Sequence, residues 1–366
     1  MEQMIIKGLE GITVAATNIS LVDGDHGRLV YRAYWAKDLA LQHDFEEVCY
    51  LLWHGRLPNE IELKKLKNDF REQRRLPAHL VELLKILPEN MPMMSVIRTC
   101  ISAMGDGSYQ WPPKVEEAIK ITAVLPTIIA ARSHLLKGEN VIDPHETLDH
   151  VANFLYMLNG EIPLGAHSKV LNAYFVLTME HGMNASTFSS RVIASTESDI
   201  VSAITGAIGA MKGPLHGGAP SEVTAMLDEI GSKENAEGWI REQLEKGKKL
   251  MGFGHRIYKT RDPRAEALKE MTSQLTKEDP WLDLAVHVEA EAIRLLEEYK
   301  PGRKLYTNVE FYAAAVLRAV NMPAELFTPT FTSSRVAGWT ANVMEQSLDN
   351  RIYRPSSLYN GGMPKD

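Results

Sequence analysis

From Phe45 onward, apolar residues recur three and four positions apart, and this helical period limits the fold more than any other feature of the chain. Phe45, Val48, Leu51 and Leu52 begin the pattern, and Gly55 and Pro58 close the first helix. Residues 60–73 form a charged amphipathic helix, and 79–86 and 94–104 form shorter ones. Val115–Leu136 is apolar on nearly all sides in its second half, which predicts a buried central helix with a kink or break at Pro126. Residues 147–158 and 168–180 continue the period. Further on, Trp281, Leu284, Val288, Ala292, Leu295 and Tyr299 make one apolar stripe, and Glu289, Glu291, Arg294 and Glu297 read as its solvated face. His287 and Glu289 are two apart and share no helix face, which speaks against a metal pair.

Extended structure is confined to residues 4–33. Ile12-Thr13-Val14 and Ile19-Ser20-Leu21-Val22 precede Asp23-Gly24-Asp25-His26-Gly27, and Leu29-Val30-Tyr31 follow, which predicts a hairpin about a Gly-rich turn. Asp23 and Asp25 lack the further acceptors of a calcium loop. The fold class is all-α, with this short N-terminal β-hairpin. No repeat or linker divides the chain.

At 366 residues, with 45% apolar and 24% charged residues, the composition is that of a soluble globular protein. A net charge of −7 argues against general binding to nucleic acid or to an anionic membrane. The apolar run 121–131 is too short to span a bilayer, and Met1-Glu2-Gln3 does not open a signal peptide. Cys49 and Cys100 lie in apolar helical patterns and read as buried thiols, so a cytoplasmic location is expected.

Four stretches and two arginine sites break the helical pattern with chemistry. In Lys212-Gly213-Pro214-Leu215-His216-Gly217-Gly218-Ala219-Pro220, an imidazole sits on a stiff loop at a helix junction. Residues 251–264 carry Gly252, Phe253, Gly254 and His255, then four cations, Arg256, Lys259, Arg261 and Arg264, within nine residues. Such a cluster suits anions, with Arg for carboxylate and Lys for phosphate. His181 follows a helix end, and Glu310 sits among apolar and aromatic residues at a helix start, where a raised pKa would suit a general base. Arg335 follows Thr332-Ser333-Ser334, and Arg351 and Arg354 lie near the C-terminus. Read alone, each has an ordinary alternative: a surface His216, a solvated basic loop, a capping His181, a first-turn acid. HExxH, CxxC, P-loop and GxSxG motifs are absent. Several His, several Arg and one carboxylate on loops suit an anionic substrate with two or more carboxylates and an enolisation step that needs no metal.

KGPLHGGAPSEV together with GFGHRIYKTRDPRA resembles the citrate synthase family, in the compact bacterial and archaeal branch that includes 2-methylcitrate synthase. The resemblance extends over nearly the whole chain. It implies a helical homodimer whose large domain, residues 1–217 and 322–366, forms the dimer, and whose small domain, 218–321, closes over the cleft. The implied reaction is the Claisen-type condensation of acetyl-CoA with oxaloacetate, followed by thioester hydrolysis to citrate and CoA, as in the tricarboxylic acid cycle. By the same resemblance His216 holds the thioester carbonyl, the carboxylate of Glu310 removes the methyl proton, and His255 polarises the ketone. His181, Arg264 and Arg335 join His216 and His255 in binding oxaloacetate, and Arg354 reaches in from the partner subunit. Gly252, Phe253 and Gly254 line the CoA adenine pocket and Lys259 meets CoA phosphate. Acyl-CoA is a co-substrate; no permanently bound cofactor and no metal is expected. The N-terminal extension of the NADH-inhibited hexameric branch is not seen, so a dimer without that control is expected.

Two departures from the family pattern stand out. Glu310 follows Thr307-Asn308-Val309 where the family usually has Asp in P-N-V-D-F, which lengthens the base by about one C–C bond. A displacement near 1 Å can cost about 10²-fold in rate. A backbone that retreats to compensate, a slow enzyme, a preference for another acyl-CoA or oxoacid, such as propionyl-CoA in 2-methylcitrate synthase, or a non-catalytic homologue are the alternatives this opens. The second departure is Ala33, where Gly is usual.

Overall fold

The computed structural model describes residues 5–217, 219–255, 257–275 and 280–364. Among them the helical period becomes sixteen α-helices and two short 3-10 turns. Caps written in the sequence set several boundaries. Asn59 accepts from the Glu62 N–H at 2.9 Å while the Glu62 carboxylate accepts from the Asn59 N–H at 2.9 Å, which starts the Glu60–Gln73 helix. Gly55, in the left-handed region, ends Phe45–His54.

Val115–Leu136 runs unbroken through Pro126, so the predicted break is absent. Its 22 residues are long and apolar enough to cross a membrane by length and composition, yet 78% of the most apolar window is buried inside the protein. It packs against His150–Asn159, Glu60–Gln73, Met93–Ser102 and the C-terminal helix Phe327–Leu348. Contacts on every side hold in place a helix that proline alone would weaken.

Phe327–Leu348 is the second buried helix, and it carries Arg335 and Trp339 inward. Gly338 lets it pass directly over the end of Gly165–Thr178: a Cβ there would overlap the Met179 carbonyl oxygen and the Glu180 carboxylate. Asn342 Nδ2 donates to Glu180 Oε2 at 3.0 Å, and Arg335 Nε donates to the Thr178 carbonyl at 2.6 Å. The residues just past that helix end are thereby fixed, and His181 is one of them.

The hairpin is a three-stranded antiparallel sheet of Ser20–Asp23, Arg28–Tyr31 and Tyr34–Trp35, with Ser20 opposite Tyr31 and Asp23 opposite Arg28. Ile12-Thr13-Val14 lies outside it. Arg32 and Ala33 form the second turn with φ of 46° and 73°. Two residues at positive φ suit a tight hairpin, so Ala33 occupies a place where glycine is less strained. The first turn packs on the basic stretch: Lys259 N–H donates to the Gly24 carbonyl at 2.9 Å, and a Cβ on Gly24 would overlap the Ile257 carbonyl oxygen. After Leu348 the described chain has no helix or strand, and Ile352, Tyr359 and Met363 are exposed.

Gly338→Ala forces a buried helix away from Met179 and Glu180, and overpacking of this kind costs about 1–3 kcal/mol. Thermal melting is expected to show the loss; an unchanged melting temperature would mean the crossing is not tight.

Candidate active site

The Gly252–His255 loop and the segment leading into the Val309–Ala319 helix form one unit. Gly252 and Gly254 both take positive φ, at 82° and 79°, which lets the loop turn back on itself. Phe253 bridges Thr307 in antiparallel fashion. Gly254 N–H donates to the Tyr306 carbonyl at 2.8 Å, and Asn308 N–H donates to the Gly252 carbonyl at 2.9 Å. The Asn308 side chain caps the helix by accepting from the Glu310 N–H at 3.0 Å, and its Nδ2 donates to the Gly254 carbonyl at 2.9 Å. His255 and Glu310 are therefore held by one set of backbone bonds.

Three imidazoles are poised in their neutral form. His255 Nδ1 accepts from the N–H groups of Ile257 and Tyr258 at 3.0 and 3.1 Å, which places the ring hydrogen on Nε2. Arg264 Nη2 lies 3.3 Å from that Nε2. Two donors cannot bond each other, so they are free to share an added oxygen acceptor. Burial first, and then Arg264, press the His255 pKa down to about 4. His181 is buried, with Nε2 3.2 Å from the Tyr258 hydroxyl and its ring edge-on to His255 at 5.7 Å. Burial, followed by Arg264 and Arg335, holds its pKa well below the usual value. His216 Nε2 lies 2.7 Å from Ser186 Oγ, and burial together with Arg335 lowers its pKa to about 4. Ser186 Oγ also accepts from Trp339 Nε1 at 3.0 Å and donates to Asn184 Oδ1 at 2.7 Å. Gly217 fixes the loop from the other side: its carbonyl accepts from Thr328 Oγ1 at 2.6 Å, and a Cβ there would overlap the Met211 carbonyl oxygen.

The charged groups are one carboxylate and two buried cations. Burial raises Glu310 to about 7, against the pull of Arg264 and Arg335. Arg264 is buried and forms a fork with Asp262, Nε to Oδ1 at 3.0 Å and Nη2 to Oδ2 at 2.8 Å. Burial opposes its charge, but Asp262 more than compensates and keeps it firmly protonated. The same Asp262 Oδ2 accepts from the Val309 N–H at 3.1 Å, which ties Arg264 to the helix bearing Glu310. Arg335 is buried with its guanidinium 4.6 Å from the Phe331 ring centre.

Hydrogen bonds and ring contacts thus join His181, His255 and Arg264, and His216, Arg335 and Glu310 interact electrostatically with this group. Lys259 is set apart: it is exposed and paired with Asp25 at 2.7 Å. Arg354 lies exposed on the C-terminal tail, with no described bond to the other site residues. Arg256 lies outside the described residues, as does Gly218. Sequence reasoning passed over Ser186, Tyr258 and Asp262, and also Arg303 and Lys304. The last two line a cavity of about 330 Å³ with His255, Tyr258 and Lys259. The basic turn 300–304 was a visible signal for them. Glu289 reads as solvated in the sequence, whereas only 7% of it is exposed. The buried face of Pro280–Tyr299 is wider than that of the apolar stripe: Ala285 and Leu296 join Ala292 around position 289 at helical spacing. Among the described residues no group of three His, Cys, Asp or Glu is placed for a metal ion.

The raised Glu310 pKa fixes the sign of a stability effect. Between about pH 4.5 and 7 the folded chain keeps a proton that the unfolded chain releases, so this group costs stability as pH rises through that window. Glu310→Gln is expected to stabilise the protein at pH 8 relative to pH 5, by on the order of 2 kcal/mol. Melting curves of both proteins at the two pH values check this; an equal difference at both would contradict the raised pKa.

Residues 8–356 match the family model described as citrate synthase, C-terminal domain. Citrate synthase 2 of Bacillus subtilis is 42% identical over 364 residues, covering 97% of this chain and 95% of that protein. 2-Methylcitrate synthase of Mycobacterium tuberculosis is 39% identical over 363 residues, covering 98% and 91%. The structure of the ternary complex of carboxymethyl coenzyme A and oxaloacetate with citrate synthase from Thermoplasma acidophilum superposes with a TM-score of 0.91 at 28% identity, covering 99% of this chain and 98% of that one. The all-α architecture, the sequence match along the chain and the clustered imidazoles agree: the chain belongs to the citrate synthase family.

Proposed function

We propose that this protein condenses acetyl-CoA with oxaloacetate and hydrolyses the resulting thioester, releasing citrate and CoA. The observation that carries the mechanism is a carboxylate with a pKa near 7 in the same network as three neutral imidazoles. Ionised Glu310 takes a proton from the acetyl methyl group, breaking C–H and leaving an enol or enolate. His216 stabilises the developing oxygen charge as a neutral hydrogen-bond donor. The enol carbon attacks the ketone carbon of oxaloacetate. The new alkoxide receives hydrogen bonds, and finally a proton, on the side of His255 Nε2–H and Arg264. Water then attacks the thioester carbon and the C–S bond breaks.

Arg264, Arg335 and His181 bind the oxaloacetate carboxylates in this reading. Arg354 completes the site from the partner subunit of a homodimer, for which its exposed tail is suited. CoA lies along Gly252–Gly254, with its phosphates met by Lys259, Arg303 and Lys304 once Lys259 leaves Asp25. Residues 1–217 with 322–366 act as the large domain and 218–321 as the small one, with the contact of Gly24 on Ile257 lying between them. We place the protein in the cytoplasm, a reducing setting suited to its two free buried cysteines.

The 2-methylcitrate synthase among the relatives favours propionyl-CoA as a second reading. The two thioesters differ by one methylene, worth about 10–200-fold in a selective pocket. The deciding experiment compares kcat/KM for acetyl-CoA and propionyl-CoA with oxaloacetate, following thiol release. Acetyl-CoA is expected to be preferred. A clear preference for propionyl-CoA would replace this reading with the second, and no turnover with intact oxaloacetate binding would mean a non-catalytic homologue.

A further inference from the structure

Glu289 is far from the motifs that drew attention in the sequence, yet it meets the segment that bears Glu310 on both sides. Its Oε1 accepts from Thr307 Oγ1 at 2.7 Å. Its Oε2 accepts from the Tyr312 hydroxyl at 2.6 Å and from Lys269 Nζ at 2.6 Å. Thr307 stands three residues before Glu310 and Tyr312 two residues after it, and both are buried. One carboxylate thus brackets the last residues of the extended segment and the first turn of the helix.

The bracket falls where this chain differs from its family's usual pattern. Threonine stands in place of the proline of P-N-V-D-F, and only the threonine has a hydroxyl to offer Glu289. Proline stiffens a backbone covalently, and here a side-chain bond to a neighbouring helix performs that restraint. The same segment carries Glu in place of Asp, with one more rotatable bond and a longer reach, so its backbone must be set accurately for the carboxylate to meet a substrate methyl group.

We infer that Glu289 is a positioning residue: through Thr307 and Tyr312 it fixes the backbone that carries Glu310 at the depth required for proton abstraction. This rests on the reading of Glu310 as the base. Glu289 touches no substrate and acts only through its neighbours. A carboxylate accepts from all three partners at once; an amide loses the ion pair with Lys269 and, with its oxygen turned to Lys269 and Tyr312, forces the Thr307 hydroxyl to accept instead of donate.

The test uses steady-state kinetics of the full-length protein with acetyl-CoA and trideuteroacetyl-CoA. Glu289→Gln is expected to lower kcat about tenfold, to leave the KM for oxaloacetate unchanged, and to raise the isotope effect on kcat as proton abstraction becomes limiting. Thr307→Val, nearly equal in shape, is expected to lower kcat severalfold in the same way, and Thr307→Ser, which keeps the hydroxyl, to restore it. The threonine pair decides the matter if Glu289→Gln does not fold. Folded variants with wild-type kcat and isotope effect, or a lowered melting temperature without a change in either, would overturn the inference and leave Glu289 a support of the fold alone. Glu310→Ala separates the two claims: if it retains full condensation, the assignment of the base fails, whatever Glu289 does.

Discussion

Two backbone hydrogen bonds across the bridge between Phe253 and Thr307 are what the site depends on. They join a glycine loop carrying His255 to a helix start carrying Glu310, groups more than fifty residues apart in the chain. Asn308 and Asp262 then brace that joint, each serving two purposes with one side chain. Asn308 caps the helix and holds the loop, and Asp262 orients Arg264 and accepts from Val309. A buried polar network of this kind is costly unless satisfied, and nearly every bond in it also fixes the place of a reacting group. Around it, the glycines at 24, 217 and 338 permit backbone approaches that no side chain would allow, bringing the hairpin turn, the His216 loop and the C-terminal helix against the same centre.

The electrostatics follow from burying many nitrogen bases beside two arginines. Burial opposes protonation of an imidazole, and a nearby cation adds to the effect, so His216 and His255 stay neutral down to about pH 4. Neutral rings can donate a hydrogen bond to a developing oxyanion without first losing a proton. The same burial acts in the opposite sense on Glu310 and raises it to about 7. Asp262 keeps Arg264 charged, so the site retains positive charge for an anionic substrate while its histidines carry none. Burial, applied to a carboxylic acid and to bases, separates their pKa values in the direction that assigns base and donor roles.

Much of this was legible in the sequence because it is written locally. Helical period located Val115–Leu136 to the residue, and glycine and proline marked the loops that carry His216 and His255. What was not legible depends on tertiary contacts. Pro126 reads as a kink or break, but the helix continues through it, packed among surrounding helices. Glu289 reads as solvated because alanines define its face weakly, and its three donors come from two other helices and a loop. Asp262 looks like one more charge in a basic run until Val309 approaches it. Lys259 looks like a free cation, and the hairpin turn supplies Asp25 to it.

The central claim is that Glu310, longer than the family's usual aspartate, works as the base because burial sets its pKa and a bonded backbone sets its place. The pH dependence of kcat/KM for acetyl-CoA tests it most directly, since His216 and His255 both titrate near pH 4, outside the range in which Glu310 does. The expected rate is level above an apparent pKa near 7 and falls about tenfold per pH unit below it. A rate that stays level from pH 8 down to pH 5 would contradict it.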